Sequence, residues 1–240
     1  MKTLGVLAGL GPLAGAHFYR RLIELTAAAN DEEHIPVVLI SEPSIPSRIR
    51  YLEGVGDSPA PKLQEVVRRL AAAGAEWIVI PSSTTHIFYP DLAAASPVPI
   101  LSLISVVTSG IVAARRRTVG ILATTPTRSW RVYDGAFAQA GLEAVYPDDA
   151  SQNEITEIIA RVKGAVGSGA PVDLGERLLD VAGRPWSKRI DGLLLACTEI
   201  PVVFPAQEWA ERSGADPGTP RLFSSTDMLA QAVINAATAD

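Results

Sequence analysis

Asp191-Gly192-Leu193-Leu194-Leu195-Ala196-Cys197-Thr198-Glu199 is a short apolar run that breaks into a thiol, a hydroxyl and a carboxylate. A brief apolar run bounded by polar residues reads as a buried strand. An earlier segment has the same form: Glu76-Trp77-Ile78-Val79-Ile80-Pro81-Ser82, again an acid, an apolar run and a small polar residue. Upstream of each stands another matched landmark. Gly5-Val6-Leu7-Ala8 precedes the first, and Gly120-Ile121-Leu122-Ala123 precedes the second. The same landmarks in the same order indicate an internal duplication. It places Ser82 and Cys197 at equivalent positions, just beyond a buried strand in each half.

Outward from these anchors, short apolar runs alternate with longer amphipathic ones. Strands are expected at 3–8, 37–41, 77–81, 99–103, 118–123, 143–146, 192–196 and 221–224. Helices are expected at about 13–29, 61–73, 106–114, 130–140, 154–166, 174–182 and 227–237, the last capped by Ser225 or Thr226. In 61–73 the residues Leu63, Val66, Val67 and Leu70 recur at the spacing of one buried helix face. Strands alternating with helices imply parallel sheets covered on both faces. The expected fold is α/β, with two pseudo-symmetric parallel-sheet domains and the active site in the cleft between them. One domain takes residues 1–107 with a returning segment 225–240, and the other takes 108–224.

Composition narrows the partners. The net charge is −5 with a pI near 5.3, so no basic footprint calls for nucleic acid or an anionic membrane. The run Arg115-Arg116-Arg117 reads as a solvated helix end. One cysteine cannot form an intramolecular disulfide, and the N-terminus lacks a secretory pattern. No uninterrupted apolar stretch approaches the ~20 residues that span a bilayer. The cytoplasm is the expected compartment.

In open parallel sheets, ligands bind beyond the carboxyl ends of the strands. Four polar clusters fall at such ends: Gly9 to Pro12, Ser82 to His86, Thr124 to Thr127 and Cys197 to Glu199. Taken by itself, Cys197 is open to two readings. It is a small buried hydrophobe, or it sits where a helix opens and its thiol pKa is lowered towards neutrality. Arg48, in the proline-held segment Ile45-Pro46-Ser47-Arg48, is either a surface arginine or a two-pronged grip on a carboxylate. Lys163 lies on a helix and by default is solvated. His86 has no Cys or His at metal-ligand spacing, so no metal site is expected. The Gly9-Leu10-Gly11-Pro12 turn is not a dinucleotide fingerprint and no Walker sequence is present, so no nucleotide cofactor is expected.

Several segments act together. They are Gly9-Leu10-Gly11-Pro12-Leu13-Ala14, Asp31 to Pro36, Ile45 to Arg48, Ser82-Ser83-Thr84-Thr85-His86, Ala123 to Thr127, Val162-Lys163-Gly164 and Ala196-Cys197-Thr198-Glu199-Ile200-Pro201. In this order, over nearly the whole chain, they resemble the aspartate/glutamate racemase superfamily in its cofactor-independent, aspartate racemase-like branch. The resemblance implies two-base proton transfer at an amino-acid α-carbon, with one cysteine on each face and no cofactor. It implies substrate-carboxylate contacts from Arg48 and Lys163, and polar contacts from Thr84, Thr127 and Thr198. Ser83, His86 and Glu199 complete the expected substrate-facing set.

This chain departs from the family pattern on one side. Ser82-Ser83-Thr84-Thr85-His86 stands where the family usually reads Cys-Asn-Thr-Ala-His, and Ser47 stands where it usually has an aspartate. A serine hydroxyl is far less acidic than a thiol and needs an adjacent base to act as one. Three functions follow. The favoured one is a racemase or epimerase for aspartate- or glutamate-type substrates, with Cys197 serving one face and Ser82, through water or His86, the other. The second is a one-sided carbon-acid enzyme, a decarboxylase, lyase or isomerase using Cys197 alone. The third is a carboxylate-binding protein without turnover. The expected partners are a small dicarboxylate or amino acid and, as is usual for such enzymes, a second copy in a homodimer.

Overall fold

Apolar runs with few charges suit strands covered on both faces, and here they form eight parallel strands in two sheets. The computed structural model describes residues 1–164, 173–216 and 218–238. The first sheet contains β1 (Leu4–Ala8), β2 (Val37–Ser41), β3 (Trp77–Val79) and β4 (Ile100–Leu101), in the order β2-β1-β3-β4. The second contains β5 (Thr118–Leu122), β6 (Glu143–Val145), β7 (Gly192–Leu195) and β8 (Arg221–Ser224), in the order β6-β5-β7-β8. The orders are the same, second-first-third-fourth. The chain divides into two compact units, Met1–Val106 with Thr226–Asp240, and Val107–Ser225.

The duplication extends to side-chain devices. Glu76, just before β3, accepts the Thr3 backbone N–H at 2.8 Å. Its counterpart Asp191, just before β7, accepts the N–H groups of Arg117 and Thr118 at 2.9 and 3.0 Å. Each carboxylate satisfies backbone donors where a central strand begins and so pins its neighbour's register. Gly5 and Gly120 are equivalent too. A Cβ on Gly5 would come within 2.8 Å of Ala75, and one on Gly120 within 2.5 Å of Ile190. In the first unit the helix Ala60–Ala72 buries Leu63, Val66, Val67 and Leu70 against Leu7, Ile78 and Ile80, as its spacing predicts.

Departures from the sequence reading have local causes. The helix expected over 130–140 is shortened to a second piece, Asp134–Gln139, and a first piece, Thr125–Ser129, stands ahead of the expected range. The Thr124 side chain caps the first piece, and Arg131 turns the chain at a φ of 48°. The helix expected over 13–29 stops at Leu25, where Thr26 becomes extended. The helix expected from 154 begins at Asp149, because the Asp148 carboxylate accepts the Ser151 N–H at 2.8 Å. Residues 165 and 166 of that expectation lie outside the described residues. The final helix, Ser225–Thr238, takes in both expected caps. The Ser225 hydroxyl donates to the Leu195 carbonyl at 2.8 Å and ties the helix start to the end of β7. Among the described residues, the helices Arg48–Leu52, Tyr89–Ala95, Thr125–Ser129 and Ala206–Ala215 were not anticipated. Among the described residues no helix is long and apolar enough to cross a membrane.

Candidate active site

The carboxyl ends of the central strands carry the chemically capable residues. Ser82 to His86 follows β3, and Gly9 to Pro12 follows its neighbour β1. Cys197 to Glu199 follows β7, and Thr124 to Thr127 follows its neighbour β5. Gly9 is needed where it stands. Its φ is +88°, and a Cβ there would lie 2.3 Å from the Glu42 backbone nitrogen.

In the second unit four candidate residues form one cluster. The Cys197 thiol donates to Glu199 Oε2 at 3.0 Å, and the Thr198 hydroxyl reaches the same oxygen at 3.4 Å. The other carboxylate oxygen, Oε1, lies 3.6 Å from Lys163 Nζ. Cys197, Thr198 and Glu199 are all buried, whereas the Lys163 side chain is about one-third exposed. Lys163 ends the helix Asp149–Gly164, so its default reading as a free solvated lysine is corrected: its ammonium faces a buried carboxylate. Thr127, on the neighbouring strand end, pairs its hydroxyl with that of Thr124 at 3.0 Å.

The cluster overturns one expectation. One of the two readings of Cys197 had its thiol acidified by a helix N-terminus. Burial instead pushes it well above the usual thiol range, and the negative Glu199 adds to the rise while Lys163 opposes it. The following helix, Ile200–Val203, has only four residues and supplies little dipole. At rest Cys197 is therefore a protonated acid with a built-in proton acceptor. The reading of a small buried residue agrees with its burial, and the Glu199 carboxylate on its sulfur is a feature beyond it.

The first unit is built differently. Ser82 opens onto a 3-10 turn, Thr84–Phe88, with Ser83, Thr84 and Thr85 buried around it. The Thr85 hydroxyl donates to Ser82 Oγ at 2.9 Å, so the Ser82 proton is left to donate outward. His86 Nε2 accepts the Leu103 N–H at 2.9 Å, which puts the ring proton on Nδ1, where it donates to the Ser82 carbonyl at 2.8 Å. Tyr89 stacks on the ring at 5.6 Å. With both nitrogens committed, His86 can neither take the Ser82 hydroxyl proton nor bind substrate through its ring, and both expectations for it are corrected. Burial lowers its pKa from 6.5 to about 4.

The consequence for stability follows from the sign of that shift. Between pH 6.5 and 4 the unfolded chain binds a proton at this histidine that the native state refuses. Stability from this group is therefore complete above pH 6.5 and falls by about 3 kcal/mol on acidification to pH 4. Urea denaturation of the wild type should show this slope and the His86→Gln variant should lack it; equal slopes would contradict the assignment.

Arg48 donates to the Leu10 carbonyl, within the turn after β1, so it is not a freely moving surface side chain. It is also not in a rigid loop, because it begins the helix Arg48–Leu52, whose N-cap Ser47 accepts the Arg50 N–H at 3.3 Å. Serine and aspartate are both good N-caps, so Ser47 caps this helix without bringing a charge. Two contributors were missed. Thr85 was part of the polar run but received no role. Gln152 is buried and donates to the Ala123 carbonyl at 3.0 Å, holding the end of β5. Its signal was a polar residue in the buried series with Ile155 and Ile159. Among the described residues no group of three His, Cys, Asp or Glu side chains could hold a metal ion.

Comparison with known proteins agrees with this architecture. The family model for Asp/Glu/hydantoin racemases matches residues 7–233. The aspartate racemase of Picrophilus torridus superposes with a TM-score of 0.84 at 27% identity, covering 99% of this chain and 94% of that one. The broad specificity amino-acid racemase RacX of Bacillus subtilis (strain 168) is 24% identical over 205 residues, 84% of this chain and 87% of the relative. A cysteine-substituted mutant of arylmalonate decarboxylase shares the fold, with a TM-score of 0.56 at 19% identity over 99% of this chain and 94% of that one.

Proposed function

Since the chain belongs to the Asp/Glu/hydantoin racemase family, we propose that it moves the α-proton of an aspartate- or glutamate-type amino acid at an asymmetric site. Cys197 is the one thiol acid/base in this reading, and no pyridoxal phosphate takes part. The supporting observation is the thiol's hydrogen bond to Glu199, 3.0 Å from sulfur to oxygen. In the forward step the thiol proton passes from Sγ to Glu199 Oε2. The thiolate then takes the substrate α-proton, and the electron pair left on carbon is spread into the substrate carboxylate. Reprotonation from Sγ reverses the step on the same face.

An amino-acid α-proton is very weakly acidic, so the developing charge needs fixed positive groups. Arg48 and Lys163 are the cations assigned to substrate carboxylates, and Thr84, Thr127 and Thr198 donate hydroxyl hydrogen bonds. Ser82 donates a hydrogen bond to the intermediate or to a water and does not serve as a base, because its side-chain partner among the described residues, Thr85, is a hydroxyl. Proton exchange with retention should then outrun inversion. The reading includes a homodimer, as the resemblance implies, in the cytoplasm, the compartment that the sequence composition suggests.

The Ser82 environment also favours a second reading. A resting thiol acid with no opposing base is what protonating an enolate after decarboxylation requires, and the shared fold with arylmalonate decarboxylase is compatible with that. Incubation with each enantiomer of aspartate and glutamate, and separately with aminomalonate, separates the two. Inversion or α-exchange of the amino acids supports the first reading; carbon dioxide from aminomalonate without either supports the second. Binding with no reaction from any of them would contradict both.

A further inference from the structure

We infer that Gln152 and Thr156 are positioning residues for the Cys197 site. They fix the helix Asp149–Gly164 to the end of β5, and that helix in turn holds Lys163 beside the Glu199 carboxylate. The inference rests on the role given above to Cys197 with Glu199, and it deepens that reading by naming what keeps the cation of the cluster in place.

A helical residue shares its face with those four, seven and eleven positions further on. Gln152, Thr156, Ile159 and Lys163 therefore form one stripe of the helix Asp149–Gly164, about three turns long. The start of the stripe grips the end of β5. Gln152 Nε2 donates to the Ala123 carbonyl at 3.0 Å, and the hydroxyls of Thr125 and Thr156 pair at 2.8 Å. The Thr156 proton goes to the Gln152 carbonyl at 2.8 Å, so Thr125 is the donor. The helix is thus bonded to the residues on either side of Thr124. That strand end lies level with the thiol, because Leu122 pairs with Leu195, and Thr124 and Cys197 each stand two residues further on. At the far end of the stripe Lys163 Nζ lies 3.6 Å from Glu199 Oε1. The same helix packs on Ile200–Val203, which follows Glu199 directly.

Packing alone does not call for a glutamine at 152. Ile155, Ile158, Ile159 and Val162 fill the buried side of the helix. Gln152 is buried among the same set, and its Oε1 has no hydrogen-bond partner among the described residues. An unmatched buried acceptor is unfavourable, so an apolar residue would serve the core better. What the glutamine adds is an amide donor on the Ala123 carbonyl. Arg177 also bonds this helix, through Glu154 and Glu157, but it ties it to the helix Asp173–Ala182 and not to a strand end.

Cys197 is the only cysteine, so the rate at which iodoacetamide alkylates the full chain at a fixed pH reads its thiolate fraction alone. Lys163 favours the thiolate from its place beside Glu199, and Lys163→Met should slow alkylation roughly tenfold. Gln152→Met and Thr156→Val should each slow it several-fold, and Thr156→Ser, which keeps the hydroxyl, should restore the wild-type rate. A site that had merely loosened would react faster. In the Lys163→Met background neither substitution should slow the reaction further, because the cation through which they act is gone; such a cycle isolates the coupling. Arg177→Gln loses two ion pairs of the same helix and should leave the rate unchanged. Thr156→Val carries the test should Gln152→Met fail to fold. An unchanged or faster rate in Lys163→Met or in Thr156→Val would overturn the inference. So would additive slowing in the Lys163→Met background, or equal slowing by Arg177→Gln. Alkylation needs no substrate, so this result stands apart from the enantiomer assays that test proton transfer.

Discussion

Cys197→Ala is expected to lower α-proton exchange by about a thousandfold or more, with the affinity for an acidic amino acid changed only a few-fold. General acid–base groups contribute about 10²- to 10⁴-fold, and no second thiol exists to replace this one. The substitution removes the thiol that donates to Glu199 Oε2 at 3.0 Å. It leaves Lys163, and the hydroxyls of Thr198 and Thr127, to hold the ligand. Cys197→Ser keeps a donor of similar size and should bind well and turn over poorly. Full activity in Cys197→Ala would remove the thiol from the mechanism.

The second large effect is a gain. Ser82→Cys is expected to increase inversion by roughly tenfold or more while changing exchange much less, because a thiol of ordinary pKa ~8.5 reaches the thiolate far more readily than a hydroxyl. The gain should be partial. Cys197 has Glu199 against its sulfur, whereas among the described residues Ser82 Oγ has the hydroxyl of Thr85 at 2.9 Å. Adding Ser47→Asp to Ser82→Cys should raise inversion further, since it supplies an acid beside Arg48 and preserves the cap on the helix Arg48–Leu52. No gain from either variant would mean that the reaction does not require a second base at all.

Much of this was legible before any coordinates. Glu76 and Asp191 marked the two central strands because each begins a near-continuous apolar run, and parallel strands buried on both faces leave that signature. Strand alternation then assigned Ser82 and Cys197 to ligand-facing ends. What stayed hidden was set by non-local contacts. Nothing in the local sequence shows that the Leu103 N–H, seventeen positions away, occupies His86 Nε2, and this bond excludes the histidine from base chemistry. The thiol pKa went the wrong way for a related reason. A turn reads as a helix N-terminus locally, but burial and the Glu199 carboxylate outweigh a four-residue helix. The start at Asp134 rather than at 130 was missed because a left-handed turn at Arg131 has no sequence signature. Ser47 looked like a lost acid and is also a helix cap.

The central claim of the proposal is that Cys197 with Glu199 forms an acid/base pair and that Ser82 acts only as a hydrogen-bond donor. It is tested most directly by following L-aspartate or L-glutamate in deuterated water with the wild-type protein. The fraction of α-deuterated L-substrate is measured against the fraction of D-product over the same interval. The account predicts deuterated substrate of retained configuration accumulating faster than inverted product. Inversion with deuterium confined to the product would show a competent base on each face, and would contradict the asymmetric site.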